Sequence, residues 1–594
     1  MRTSLNLDGT WDFCVDLDPK YHDDPHVAGI HPYSQPGLDR RHWQRVPVPG
    51  VWQCYAERLD IYEGVGWFVR EFECGELPTP ARARLHFEAV AYACVVYLNG
   101  TRLGAHEGAM TAFSIDASAA VLGGRNHLAV RVDNRALLIV WPPCLGYFNY
   151  AGIHRSVHVE IASGPAIDEI AVEAVPIAQG GLIRLRGRIT EAVADCRLEL
   201  VCGEASTVLE IAVDGVVSGV MTVPVALAWS PAAPHLHLLK IILRGNSGEY
   251  DSRQLDIGFR RIELHDSRVV LNGEPLQING VCHVFDSPVT GLVMDTERIA
   301  EDVALITQLG ANAVRCHYPM DEQFYTACDR AGVLVWIEPQ VYCLHPPDDA
   351  IATPFSDPIW IALAEQSIIE MVRVARNHPC VAIYGIGNEC NTANPEAEIF
   401  FRSLAQRVRA EDPTRLLSYA ALYGIVGPVA DMVDILGINS YWGWYDKIHG
   451  GKGLSPEERR AAGTIGCEPI DLTPLVTMLN QVLVEHPHLT LFLTEFGGDS
   501  VPGFRSASRD LWSEDYHADL LREILTIADG YPQIAGTFPF CLADYRDPSK
   551  AYNGYWNGTN LKGLVTWERR PRLAYAAVRD MYEARAAKHA HLSI

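Results

Sequence analysis

Along the first 260 or so residues, apolar and polar positions alternate in short runs closed by turn residues. The clearest are RLHFEAV (84–90), CVVYLNG (94–100), HLAVRVDN (127–134), SVHVEIA (156–162), LIRLRGRIT (182–190) and LHLLKIIL (236–243). A period of two is that of a strand with one face in a core and one in water, so this half reads as antiparallel all-β. The break at SGPAIDEI (163–170) separates two such strand-rich stretches. The expectation is a jelly-roll β-sandwich over 1–162 and an immunoglobulin-like β-sandwich over 163–260.

From about residue 261 the period changes. Apolar strand candidates occur at 277–284, 311–318, 333–340, 380–389, 415–422, 434–441, 489–496 and 534–541. Helix-like stretches lie between or after them, including TERIAEDVALITQLG (296–310), PIWIALAEQSIIEMVRVARNH (358–378), DLLREILTIADG (519–530) and PRLAYAAVRDMYEARAAK (571–588). Strands alternating with helices build parallel βα units, and eight of them predict a (β/α)8 TIM barrel over 261–594.

Composition narrows the function. With 49 Lys+Arg against 73 Asp+Glu the formal net charge is −24, which leaves no global basic field for nucleic acid or an anionic membrane. Asp8, Asp12, Asp16 and Asp18 interrupt the start of the chain where a leader would need an apolar run, so the cytoplasm is the expected compartment. The fifteen cysteines form no CxxC pair and read as reduced, mostly buried small hydrophobes.

Barrel active sites lie at the C-terminal strand ends, and there strand four runs into Gly387-Asn388-Glu389 and strand seven into Glu495. Either glutamate alone is open to a structural, salt-bridged reading. Two of them facing each other across a barrel mouth are what acetal cleavage requires: one protonates the leaving oxygen and the other attacks the anomeric carbon. No cofactor is needed for that chemistry.

GIGNEC (385–390) and LTEFGG (493–498) resemble the acid/base and nucleophile motifs of glycoside hydrolase family 2, the β-galactosidase and β-glucuronidase family. The likeness extends along the chain through LDGTWDF, VPVPGVW, GVGWFVREF, FNYAGIHRSV, HYP, RNHP, EDPTR, NSYWGWY and LWSEDYH. It implies that Glu389 is the acid/base, Glu495 the nucleophile, and Asn388 the partner of the sugar 2-hydroxyl. It also implies that Arg315 and His317 lie beneath the nucleophile, that Tyr441 or Tyr445 bonds it while the other faces substrate, and that the protein is a homo-oligomer, dimer or tetramer.

Within YNGYWNGTNLKGLVTWERRPR, Asn560 and Lys562 resemble the N-x-K pair of the β-glucuronidases, an ammonium beside an amide for a sugar carboxylate. The implied substrate is a terminal β-linked hexuronic acid. Gly146 stands where those relatives place an aspartate, and GVCHVFDSP (280–288) departs from their pattern, leaving His283 and Asp286 as substitutes. Phe540 replaces the usual strand-eight Trp under the sugar, and Trp556 stands where some relatives have arginine. A neutral-sugar exo-glycosidase such as a β-galactosidase stays open, as do a non-catalytic carbohydrate-binding protein and a metal-dependent hydrolase drawing on His283, His317 and His345.

Overall fold

The computed structural model describes residues 2–17, 31–78, 81–135, 147–191, 195–246, 248–345, 353–448, 470–553 and 558–592. Gly146 and Trp556 fall outside them. The N-terminal part is a two-sheet antiparallel sandwich. Its six-stranded sheet runs Gln44–Val48, Gly9–Asp16, Val65–Cys74, Gly124–Asp133, Ala93–Leu98, Thr101–Glu107 in spatial order. The four-stranded sheet runs Thr3–Asn6, Val157–Ala162, Arg82–Phe87, Phe113–Asp116. In Arg82–Phe87 the alternation places Ala83, Leu85 and Phe87 in the core and leaves Arg84 exposed. A second antiparallel unit follows, with three strands (Ala166–Pro176, Gly181–Thr190, Val216–Val223) and four (Ala205–Glu210, Arg197–Cys202, His237–Gly245, Gly248–Ile257) around their own apolar cluster.

All eight predicted barrel strands form, parallel and closed: β1 Ile278–His283, β2 Ala313–Cys316, β3 Leu334–Ile337, β4 Val381–Asn388, β5 Leu416–Leu422, β6 Ile435–Asn439, β7 Thr490–Glu495 and β8 Ile534–Thr537. The helices start where side chains satisfy orphan amides. Asp295 caps Thr296–Gln308, Asp357 caps Pro358–Ala375 and Ser513 caps Glu514–Asp529.

Inside the barrel Trp336, Phe492 and Phe538 pack with ring centroids 5.8 to 6.1 Å apart. Rings of that size need small residues opposite, and a β-carbon on Gly280 would lie only 2.2 Å from Phe538. The Arg315 guanidinium covers Trp336 at 5.4 Å, which marks the change from apolar core to charged mouth.

The sandwiches are fastened to the barrel by polar contacts. Arg155 donates to the carbonyls of Pro319 (2.7 Å) and Met320 (3.2 Å), and Arg546 pairs with Asp60 at 2.7 Å. On the other side Arg376 pairs with Glu169 at 2.8 Å, and Trp229 Nε1 donates to the Asp329 carbonyl at 2.8 Å. No helix of the described residues is long and apolar enough to cross a membrane.

Candidate active site

The C-terminal ends of the strands enclose a cavity of about 330 Å³ lined by Asn388, Glu389, His317, Tyr441, Tyr445, Glu495, Phe540, Asn560 and Lys562. Nine predicted residues from distant positions thus meet in one cleft, with Arg315 buried directly behind them.

At its floor, Glu495 Oε1 accepts from Arg315 Nη1 (2.8 Å) and pairs with His317 Nε2 (3.2 Å), while Oε2 accepts from Tyr441 Oη (2.7 Å). Burial works against ionisation of Glu495, but His317, Arg315 and Tyr441 outweigh it and bring its pKa down to about 2. Glu389 has the opposite balance. Burial first, then the charge of Glu495, pushes its pKa up to about 7, against the Asn439 Nδ2 donor at 2.7 Å and the more distant charges of His317 and Arg315. Backbone geometry aims it: Glu389 adopts φ of 51°, a left-handed conformation rare for glutamate.

A third strand-end glutamate, Glu338, follows β3. It accepts from Arg315 Nε (2.9 Å) and Nη2 (3.0 Å) and pairs with His317 Nδ1 (3.1 Å). Burial and Arg315 push the His317 pKa down, yet the two flanking carboxylates prevail and raise it. With both oxygens engaged and 1% exposure, Glu338 holds the cationic pair in place and cannot reach a substrate. Gly385 makes room for it, since a β-carbon there would lie 2.5 Å from Glu338 Cγ.

Asn388 Oδ1 accepts from Arg315 Nη2 (2.7 Å) and Asn439 Nδ2 (2.9 Å), which leaves its Nδ2 donor, unpartnered among the described residues, for a hydroxyl. Across the cleft Lys562 Nζ donates to Tyr445 Oη (2.8 Å) and pairs with Asp499 (2.9 Å). Lys550 Nζ donates to the same phenol oxygen at 3.1 Å and lies 3.8 Å from Asp499. The amide of Asn560 donates to Tyr545 Oη (3.0 Å) and Asp547 Oδ2 (3.2 Å) and accepts from Lys562 N (3.2 Å). Both its hydrogens are therefore engaged, so it positions Lys562 and leaves the donating to the lysines. Phe540 packs between His317 (5.9 Å) and Tyr441 (6.3 Å) as an aromatic base.

His283 is not in the cleft. Cys282 points into the barrel, its Sγ 3.0 Å from the Thr494 carbonyl, so the next residue along the strand points outward. There His283 pairs with Asp302 at 3.2 Å with its side chain fully buried. Asp286 accepts from Tyr150 Oη (2.9 Å) and Arg546 N (2.7 Å) beside a neighbouring recess. His345 is exposed, so the three histidines of the metal reading do not converge. Among the described residues the one group able to hold a metal ion is His86, His158 and Glu160, on the N-terminal sandwich, where Glu160 already pairs with Arg2 at 2.7 Å.

The sequence reading passed over Glu338, Asn439, Asp499, Lys550 and Tyr147. Glu338 and Asn439 carried the signal used for Glu389, a polar residue ending an apolar strand. Asp499 and Tyr147 lie on loops and Lys550 on the 3₁₀ turn Pro548–Asn553, and none of them carried it.

A closed (β/α)8 barrel with one carboxyl held low and one pushed up in the same cleft is the arrangement that glycoside hydrolysis needs. The pattern of the glycosyl hydrolases family 2 TIM barrel domain matches residues 262–586, and that of the family 2 sugar binding domain matches 5–161. The chain belongs to glycosyl hydrolases family 2. It is 24% identical to a β-glucuronidase of Paenibacillus borealis, covering 98% of this chain and 97% of that one. A solved β-galacturonidase of Eisenbergiella tayi bound to galacturonate is 26% identical with TM-score 0.81, covering 98% and 97%. A Ruminococcus gnavus β-glucuronidase in complex with D-glucaro-d-lactam shares the fold at TM-score 0.83 and 22% identity, covering 98% of each chain.

Proposed function

We propose that the protein is a retaining exo-β-glycosidase that removes a terminal hexuronic acid, a β-glucuronide or β-galacturonide. The observation that carries this is the pair of ammonium groups, Lys562 and Lys550, converging on Tyr445 Oη within the glutamate cleft. Both ammonium groups point at the same phenol oxygen, with Asp499 beside them at 2.9 and 3.8 Å, so an anionic substituent entering next to Tyr445 meets charge-assisted donors. The relatives, a β-glucuronidase and a β-galacturonidase, support the same substrate class.

On this reading Glu495, held ionised, attacks the anomeric carbon while Glu389 gives its proton to the glycosidic oxygen, and the aglycone departs. The glycosyl ester on Glu495 is then hydrolysed by water whose proton returns to Glu389. Arg315 and His317 position the nucleophile, and Asn388 Nδ2 meets the 2-hydroxyl. The protein works as a cytoplasmic homo-oligomer, dimer or tetramer. The described cysteines are all free and mostly buried, which supports a reducing compartment.

One observation favours a neutral sugar instead: Asp499 already partners Lys562 at 2.9 Å. The test is kcat/KM on p-nitrophenyl β-glucuronide, β-galacturonide and β-galactoside, for the native protein and Lys562→Ala. Losing a charge-assisted contact is expected to cost about 1.5–3 kcal/mol, roughly 10- to 150-fold, on the uronides. An unchanged value on both sinks the uronide reading.

A further inference from the structure

The second sandwich meets the barrel around a cavity of about 430 Å³ that shares no lining residue with the glutamate cleft. Two of its walls are guanidinium groups. Arg260 lies in the short joint between the last sandwich strand, Gly248–Ile257, and the barrel, and Arg415 immediately precedes β5. Both are buried, at 5% and 8% exposure. Arg260 donates from Nε to the Pro379 carbonyl at 2.7 Å and from Nη2 to the Val381 carbonyl. Arg415 donates from Nε to that same Val381 oxygen at 2.9 Å, and from Nη2 to the Arg376 carbonyl at 2.7 Å. Two buried cations therefore meet at one uncharged oxygen.

Carboxylates do not balance them. Among the described residues Arg260 has no acidic partner within ion-pair distance, and Arg415 has Asp412 at 3.6 Å, which already accepts from Thr414 (2.6 Å) and Tyr384 (3.1 Å). Of the acids on the cavity wall, Glu173 pairs with Arg184 at 2.8 Å and Glu263 is exposed. Arg260 Nη1 makes no hydrogen bond among the described residues and opens on the cavity. Burial, then the charge of Arg415, pushes the Arg260 pKa down to about 9. A neutral ligand would leave these charges facing each other, whereas an oxyanion offers each guanidinium fork an oxygen and offsets the cost of burying it. The cavity has room for such an ion together with several waters at about 30 Å³ each.

We propose that the Arg260–Arg415 cavity binds a small oxyanion, a phosphate or a carboxylate, which fastens the second sandwich to the barrel. The site is independent of the sugar the cleft takes.

The test is isothermal titration of the purified protein, in Tris-chloride at constant ionic strength, with inorganic phosphate and separately with acetate. Saturable binding of one anion per chain is expected, from phosphate for a phosphate site and from acetate for a carboxylate site, together with a Tm that rises with the anion that binds. Binding of neither overturns the proposal. Lys550 and Lys562 also offer ammonium groups, so the titration is repeated on Lys562→Ala, where binding is expected to persist and its loss overturns the assignment to Arg260 and Arg415. Arg260→Lys keeps the charge but not the fork, and is expected to weaken binding at least about tenfold. An unchanged affinity in that folded variant overturns the proposal. Should it not fold, Arg261→Glu, a charge reversal at an exposed position on the cavity wall, is expected to weaken binding about tenfold, and an unchanged affinity there overturns it equally.

Discussion

Glu389 and Glu495 are the same residue type in the same cleft, yet one titrates at about 7 and the other at about 2. In the proposed mechanism the reactive pair is Glu495 ionised and Glu389 protonated, which coexist between those values. As pH rises through about 7 Glu389 loses its proton, so kcat/KM should fall along an alkaline limb with that midpoint. Glu389→Gln should abolish the limb and cost roughly 10²- to 10⁴-fold on a poor leaving group, and far less on dinitrophenyl glycosides, which need no acid. The same substitution should raise Tm increasingly as pH rises from about 4.5 and fully above about 7, because the unfolded chain ionises this carboxyl while the folded state resists doing so. Glu495→Gln should remove turnover by several orders of magnitude on every substrate, read in steady-state kinetics, since no nucleophile is left. Separate roles for the two glutamates could be assigned from the sequence only through family resemblance. The physical cause, one carboxylate ringed by cations and the other by an amide, needs coordinates.

At the scale of elements the eight strands and the principal helices were legible because each carries its own period and caps. Faces of strands were less so. His283 lies at a strand end in sequence, as Glu389 does, but the alternation set by Cys282 sends it outward to Asp302. Core layering is equally a property of strands brought together. Phe538→Ala should cost about 3–5 kcal/mol and lower Tm accordingly in a thermal melt, since Trp336, Phe492 and Gly280 cannot collapse into the space left. We propose divisions of the chain near 162 and 260, since each sandwich holds an apolar cluster of its own, and the barrel cluster takes in only a few of their residues, such as Tyr92, Met110 and Trp229.

For the whole molecule, the N-terminal sandwich contributes Tyr147 to the cleft wall and is tied down through Arg155. Arg155→Ala should strand the carbonyls of Met110, Pro319 and Met320 and cost about 1–3 kcal/mol for each left unsatisfied. A lower Tm together with a reduced kcat/KM and an unmoved alkaline limb is the expected result, because the sandwich shapes the pocket without setting the pKa of Glu389. Light scattering on the purified protein tests the homo-oligomer.

The chain by itself determined the barrel, its two antiparallel partners and the strand-end carboxylates, because hydrophobic periodicity and caps act over neighbours within a few residues of each other. Only the tertiary structure decided that Glu338 serves as a brace, that Asn560 spends its donors on Tyr545 and Asp547, and that Lys550 joins Lys562 at Tyr445. Those outcomes depend on hydrogen-bond distances between residues up to 180 positions apart, as in Arg315 to Glu495. Local pattern carries no record of such meetings, and burial then sets how strongly each charge is felt.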